Sequence, residues 1–288
     1  MRISRFLFVA TLLAATQSFA QPSAPYCQIL DGTEEPAWTI KLGYTTAAKI
    51  KAPEGHDVSV WSLAGGGGLY YWRTSVGDFD LSGAYDVSVF DGSGGINMPD
   101  RLAALRLNLA YVARNVNGTA LKVDVYPGIY SDLSDLSLKD FYIPFQALAI
   151  QAFNPQISGL IGLAIYPGFD RWFDPRFGIR AAPSEDWRVD LMYPESRVTY
   201  RPESIELYAS LRHNAVNEFR LKESDERGSI ALRDTRAALG AGWQLNDLLK
   251  VNVELGYIFG REVEFDHKAP DQDWRNATYF SVGIGGPI

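Results

Sequence analysis

Hydrophobic and polar positions alternate along "WRVDLMYPESRVTYRPESIELYASLR", residues 187 to 212. Trp187, Val189, Leu191 and Tyr193 share one side, and Arg188 and Asp190 the other. Val198 and Tyr200 oppose Arg197, Thr199 and Arg201; Ile205, Leu207, Ala209 and Leu211 oppose Glu206, Tyr208, Ser210 and Arg212. A period of two marks β-strands with one apolar and one charged face. The pattern recurs along the chain and predicts strands at about Trp38–Ile50, Val58–Trp72, Phe79–Phe90, Arg101–Asn115, Ala120–Ser131, Phe141–Phe153 and Ile157–Gly168. It continues at Arg176–Ala182, Trp187–Tyr193, Ser196–Arg201, Ile205–Lys222, Ser229–Gln244, Leu248–Glu262 and Ala277–Ile288. "PDRLAALRLNLAYVARNV" also fits helical spacing, but Leu105, Leu107, Leu109 and Tyr111 alternate with Arg106, Asn108 and Ala110, so it reads as strand.

Two kinds of connection separate the strands. Tight turns fall at Asn115–Gly118, Asn154–Gln156, Pro183–Asp186, Arg201–Ser204 and Asn246-Asp247. Longer polar segments fall at Asp91–Asp100, Ser131–Asp140, Phe169–Asp174, Lys222–Gly228 and Arg261–Asn276. Short turns on one rim and long loops on the other are the layout of outer-membrane barrels. Two successive short turns, at Pro183–Asp186 and Arg201–Ser204, require a return through Pro194-Glu195 at the opposite rim, where proline breaks no central ladder. The predicted fold is therefore all-β: a transmembrane antiparallel up-and-down barrel of about 12–14 strands with its greasy side to lipid. Gly65–Gly68, inside one predicted strand, allows a bulge and leaves lumen space.

"MRISRFLFVATLLAATQSFA" has a basic start, an apolar run and a small-x-small end, and reads as a cleaved signal peptide over residues 1–20. Residues 21–36 form a leader, disordered or folded inside as a plug, and 37–288 the barrel domain. Cys27 is the only cysteine, so no disulfide framework exists. The balance of 27 Lys+Arg against 34 Asp+Glu argues against a nucleic-acid partner. Mean hydropathy of −0.10 does not separate a soluble protein from a membrane barrel, whose character lies in alternation. The 15 Tyr, 15 Phe and 7 Trp, many near strand ends, suit membrane girdles.

Little in the chain suggests catalysis. His56, His213 and His267 lack metal-ligand spacing, so no metal and no cofactor are expected. Ser210 and His213 point to opposite strand faces and cannot pair. Gly65–Gly68 lacks the Lys-Ser/Thr of a phosphate loop. Asp132, Asp135, Asp140, Asp266, Asp271 and Asp273 lack calcium-loop spacing and read as solvated loop residues. The functional candidates are the polar faces. Arg106, Arg114, Lys122, Asp124, Arg188, Asp190, Arg197, Arg201, Glu206, Arg212, Arg236 and Glu254 are expected to point into the lumen. Mixed charge there fits a pore that orients polar solutes, or paired charges that plug the lumen.

"FGIRAAPSEDWRVDLMYPESRVTYRPESIELYASLR" carries a likeness: a strand, a polar turn, W-R-[VL]-[DE]-L, a proline hairpin, then a strand opening on I-E-L-Y. In this it resembles a bacterial family of exported, uncharacterised outer-membrane β-barrels, known only as a domain of unknown function. The resemblance implies an outer-membrane location and supplies no reaction. The chain departs from the usual barrel ending, since it closes on Ile288 and not on an aromatic residue. The expectations are an exported outer-membrane protein that is not an enzyme and acts as a porin-like passive channel for small polar solutes. The alternatives are a closed structural or adhesive barrel and a lipid-modifying enzyme. Expected partners are outer-membrane lipid, the barrel assembly machinery and small solutes; a homo-oligomer is plausible by analogy with porins.

Overall fold

The computed structural model describes residues 38–50, 56–93, 98–114, 118–134, 136–214, 217–221, 228–266 and 271–287. The expectations placed on residues 1–36, on Cys27, on Asp135 and on His267 lie outside them. The chain folds into a closed antiparallel barrel of fourteen strands. In order the strands are β1 (Trp38–Lys49), β2 (Asp57–Arg73), β3 (Asp78–Asp91), β4 (Arg101–Arg114), β5 (Thr119–Val125), β6 (Gly128–Ser131), β7 (Phe141–Tyr142), β8 (Phe145–Asn154) and β9 (Ile157–Ile165). Next come β10 (Phe173–Ala181), β11 (Trp187–Tyr193), β12 (Glu195–Tyr200), β13 (Ile205–Asn214), β14 (Glu218–Arg220), β15 (Ser229–Asn246), β16 (Leu249–Phe265), β17 (Gln272–Trp274) and β18 (Ala277–Gly286). The short pieces β6, β7, β14 and β17 continue or branch from wall strands at one rim. The wall closes where β1 pairs with both β18 and β2. The segment read as strand with helical spacing is β4, and the glycine run carries a bulge between Gly68 and Tyr70.

The pleat settles which face is which. Leu42, Leu63, Leu105, Leu107, Leu121, Ile161, Phe177, Leu191, Leu207, Leu239, Leu255 and Phe280 are all exposed on the outside. At about 25 cal/mol per Å2, water contact over such a belt would oppose folding, whereas lipid satisfies it. Rings stack along the short-turn rim: Trp72 on Phe79 at 4.9 Å, Phe79 by Tyr111 at 4.6 Å, and Trp187 by Tyr200 at 4.8 Å. At the other edge of the belt stand Tyr44–Trp61, Trp172–Phe173 and Phe177–Tyr193. These are the two aromatic girdles of a membrane barrel. Short turns face the periplasm in such proteins, so the first girdle marks the inner rim and the second the outer.

The wall has unequal height. β15 has 18 residues and β16 has 17, but β11 has 7 and β12 has 6. At about 3.3 Å per residue, β15 is nearly three times as long as either strand of the hairpin. The β11–β12 hairpin turns at Pro194, where the sequence required a return. Its outward residues Trp187 to Tyr193 cover the lipid belt and stop at the outer girdle. β15 and β16 continue beyond it.

The long-loop segments do not remain in solvent. Ile50, Val58, Phe90, Met98, Leu102, Tyr130, Tyr142, Phe169, Phe219, Leu221, Ile230, Val263, Phe265 and Trp274 form one buried apolar cluster. It draws members from opposite walls, so it crosses the outer mouth. Asp132 and Asp140, read from sequence as solvated, are buried at 6% and 5% exposure. The reason is local. Asp132 Oδ1 accepts from Ser134 N–H at 2.9 Å, and Asp140 Oδ2 accepts from Ser137 N–H at 2.8 Å, so each carboxylate is held in its own tight turn.

Candidate functional site in the barrel interior

Below the apolar cap the interior is polar along β10 to β18, while β4, β5, β8 and β9 add a second apolar cluster of Ala120 and Ile150 with Val112, Leu148 and Leu160. Strand register puts Arg188 and Asp190 on β11, Arg197, Thr199 and Arg201 on and just past β12, and Glu206, Tyr208, Ser210 and Arg212 on β13 along one interior face. Pairing of Tyr208 with Gly240 and of Arg212 with Arg236 carries that face onto β15. Gly240 opposite Glu254, and Glu254 opposite Ser281, carry it onto β16 and β18.

Three carboxylates organise the inner half. Asp190 accepts from Arg180 Nε at 2.7 Å and Arg188 Nε at 3.0 Å, with side chains on β10 and β11. Glu206 accepts from Arg197 at 2.6 Å, Arg201 at 2.7 Å and Lys250 at 3.0 Å. Glu254 accepts from Tyr208 Oη at 2.8 Å, Tyr279 Oη at 2.9 Å and Lys41 Nζ at 3.0 Å. The Arg197 guanidinium lies 3.7 Å from the Tyr208 ring centre, which joins the second group to the third. The result is a belt from β10 to β1 with six cations on three carboxylates.

Glycine makes room for this belt. A Cβ on Gly240 would stand 2.1 Å from Tyr208 Cζ, and one on Gly256 would stand 2.3 Å from Tyr279 Cε1. Each tyrosine therefore lies flat across a glycine of the neighbouring strand, and its hydroxyl reaches Glu254.

The facing wall carries charges of both signs. Asp124, 1% exposed, accepts from Gln146 Nε2 at 2.8 Å and stands 3.5 Å from Lys122 Nζ. Gln146 also donates to Tyr126 Oη at 2.8 Å. Farther out, Asp86 on β3 shares its inward parity with Ala84, the strand partner of Arg106 on β4. Arg236 is held by Asp234 at 2.8 Å and Arg212 by Glu195 at 2.6 Å. The Arg212–Glu195 pair keeps 53% and 37% of its side-chain surface in water. Lys41 at 44% and Lys122 at 33% are likewise hydrated, so the polar half encloses solvent.

Of the residues singled out in the sequence, Arg188, Asp190, Arg197, Arg201, Glu206 and Glu254 thus sit in the belt. Lys122, Asp124 and Arg106 sit on the facing wall, and Arg212 and Arg236 sit between belt and cap. Arg114 occupies a β4 position opposite Ala120, and its side chain lies outside the described residues. Sequence reasoning missed Arg180, Lys41, Lys250 and Tyr279, all at the same strand parity, and put Tyr208 on the polar face without naming it a candidate. It also missed the apolar cap, which shows in the chain only as broken alternation in "RLAAL" and "SIAL". His213 Nδ1 meets Thr235 Oγ1 at 3.0 Å, and no nucleophile–base pair joins it to Ser210. Among the described residues no three His, Cys, Asp or Glu side chains are placed to hold a metal.

A family profile described as "Domain of unknown function (DUF6268)" matches residues 76–285. No curated protein sequence matches the chain. Among solved structures, an outer membrane channel from Pseudomonas putida F1 aligns with TM-score 0.45 and 14% identity over 87% of this chain and 96% of that one. The KdgM porin aligns at 0.35 and 9%, over 85% and 96% of the two chains. A Rhodopseudomonas blastica porin variant aligns at 0.32 and 11%, over 85% and 98%. Likenesses at this level carry no functional information.

Proposed function

We propose that this chain, which belongs to the DUF6268 family, is a porin-like outer-membrane channel for small polar solutes, its interior lined by charges of both signs. The observation that carries the reading is the asymmetric belt. Six cations from Lys41, Arg180, Arg188, Arg197, Arg201 and Lys250 surround the carboxylates of Asp190, Glu206 and Glu254. Cationic side chains that face a hydrated lumen attract anions and lower their entry barrier. Charges of both signs around the lumen orient dipolar solutes.

The chain is expected to face outer-membrane lipid on its belt and to be inserted by the barrel assembly machinery. The test is swelling of liposomes containing the refolded protein, with isosmotic small solutes that differ in charge. Anionic and neutral solutes should enter faster than cationic ones of equal size. Arg197→Glu combined with Lys250→Glu should reverse the order. Uptake that is insensitive to solute charge in both proteins would defeat the reading.

A further inference from the structure

We propose that the inner chamber takes an organic anion with an apolar body, its headgroup against the Arg180, Arg188 and Arg197 side of the belt and its body along an apolar row that runs from β5 to β11. The inference rests on the channel reading and narrows the solute.

The first observation is a break in the alternation. On β8 and β9 the outward positions are apolar, as a lipid-facing wall requires, with Ile161 and Leu163 exposed on the outside. The inward positions Leu148, Ile150 and Leu160 are apolar as well. A lumen face that met only water and ions would carry polar residues there, as β12 and β13 do. Strand pairing sets the break out as one row. Ala120 pairs with Ile150, Ile150 with Leu160, Leu160 with Gly178 and Gly178 with Met192. Ala120 and Ile150 are buried and form the base of the row. Leu148, Leu160 and Val112, packed against that base, and Met192 farther along keep part of their surface toward the chamber.

The second observation is the relief of this surface. A Cβ on Gly162 would stand 2.7 Å from Leu148 Cδ2, and one on Gly178 would stand 2.8 Å from Met192 Cγ. Leu148 and Met192 each pair with that glycine on the neighbouring strand, so both side chains lie flat across the wall. The row is therefore low and smooth, a seat for a ring or a short chain.

The third observation is what borders the row. Two residues nearer the inner rim, Ser158 pairs with Arg180, Arg180 with Asp190 and Asp190 with Arg197. A charged row thus runs beside the apolar one on the same interior face. Two guanidiniums meet one carboxylate there, Arg180 at 2.7 Å and Arg188 at 3.0 Å from Asp190. On the other side of Leu160, Arg176 pairs with Gly162. Apolar contact with a few charged groups at its edge is how a site holds and orients an amphiphilic ligand. A small hydrophilic anion would use the charged row and leave the apolar one idle.

The test is block of the chloride current through the refolded protein in a planar bilayer, by two sulfonates that stay ionised and differ only in apolar length. 1-Hexanesulfonate should halve the current at a concentration about tenfold lower than methanesulfonate, because five extra methylenes gain part of the value of full burial. Hexyltrimethylammonium, with the same body and the opposite charge, should show no such advantage over tetramethylammonium. Leu148→Asn combined with Leu160→Asn should bring the two sulfonates together, and Met192→Gln alone should narrow the gap. The readout is the ratio of the two half-blocking concentrations, which does not depend on a variant's chloride conductance. Equal block by both sulfonates in the unaltered protein would overturn the apolar row as a solute surface. So would a ratio that persists unchanged in variants shown to be folded by a heat-dependent gel shift. An equal advantage for the hexyl cation would overturn the anionic half of the proposal. Folded protein that carries no chloride current would overturn the channel reading and this inference with it.

Discussion

Replacing Glu206 with glutamine removes one charge from the centre of the belt and almost no volume. The wild-type carboxylate, 6% exposed, accepts from three cations at 2.6, 2.7 and 3.0 Å. Charge-assisted bonds contribute about 1.5–3 kcal/mol each, but they are not additive around one acceptor. Breaking a fully buried pair costs about 3–5 kcal/mol because the partner charge is stranded. Arg197, Arg201 and Lys250 keep 25%, 30% and 19% of their side-chain surface in water, which screens the stranded charges. The expected loss for Glu206→Gln is therefore about 2–4 kcal/mol, below the fully buried case. Urea unfolding of the lipid-reconstituted barrel, followed by tryptophan fluorescence, would measure it. The same variant should become more anion-selective, since the belt loses one of its three carboxylates. Unchanged stability together with unchanged selectivity would refute the claim that the belt is electrostatically organised around this residue.

Other consequences follow from particular contacts. Gly240→Val should push the Tyr208 ring off its seat and cost about 1–3 kcal/mol as overpacking, with loss of the Tyr208–Glu254 bond visible in ultraviolet difference spectra. Phe219→Ala should open a cavity in the cap worth about 3–5 kcal/mol locally, read as faster hydrogen exchange in β14 and β6 with β11–β13 unchanged. Glu218, in the cap outside the membrane belt, has its carboxyl pulled above the ordinary range chiefly by burial. A raised carboxyl pKa favours the fold below its unfolded value and loses that contribution as pH rises through the folded value. Cap protection should therefore increase on acidification from neutrality, and Glu218→Gln should flatten that dependence.

The barrel wall was legible in the sequence because a membrane strand writes its two environments into every second residue. Trp187 to Leu211 gave the outward face, the inward face and the short hairpin at Pro194. Lys41, Lys250, Tyr208 and Tyr279 were harder. Each sits at the correct parity, but only the register of distant strands brings them to Glu254 and Glu206. The cap was least legible. Phe169, Leu221 and Trp274 lie in segments dominated by polar residues, and the cap they join is held by short outer strands, β14 against β6 and β17 against β16, pairings that no local pattern encodes. Asp132 and Asp140 misled for the same reason: their carboxylates satisfy turn N–H groups and face a core, while their neighbours in sequence look like open loop.

Single-channel recording of the refolded protein in a planar bilayer under a salt gradient tests the central claim most directly. Discrete conductance steps with a zero-current potential on the anion side, moved toward the cation side by Arg188→Glu, are the expected result. A folded barrel that stays electrically silent would contradict it and leave the interior charges as struts of a closed lumen.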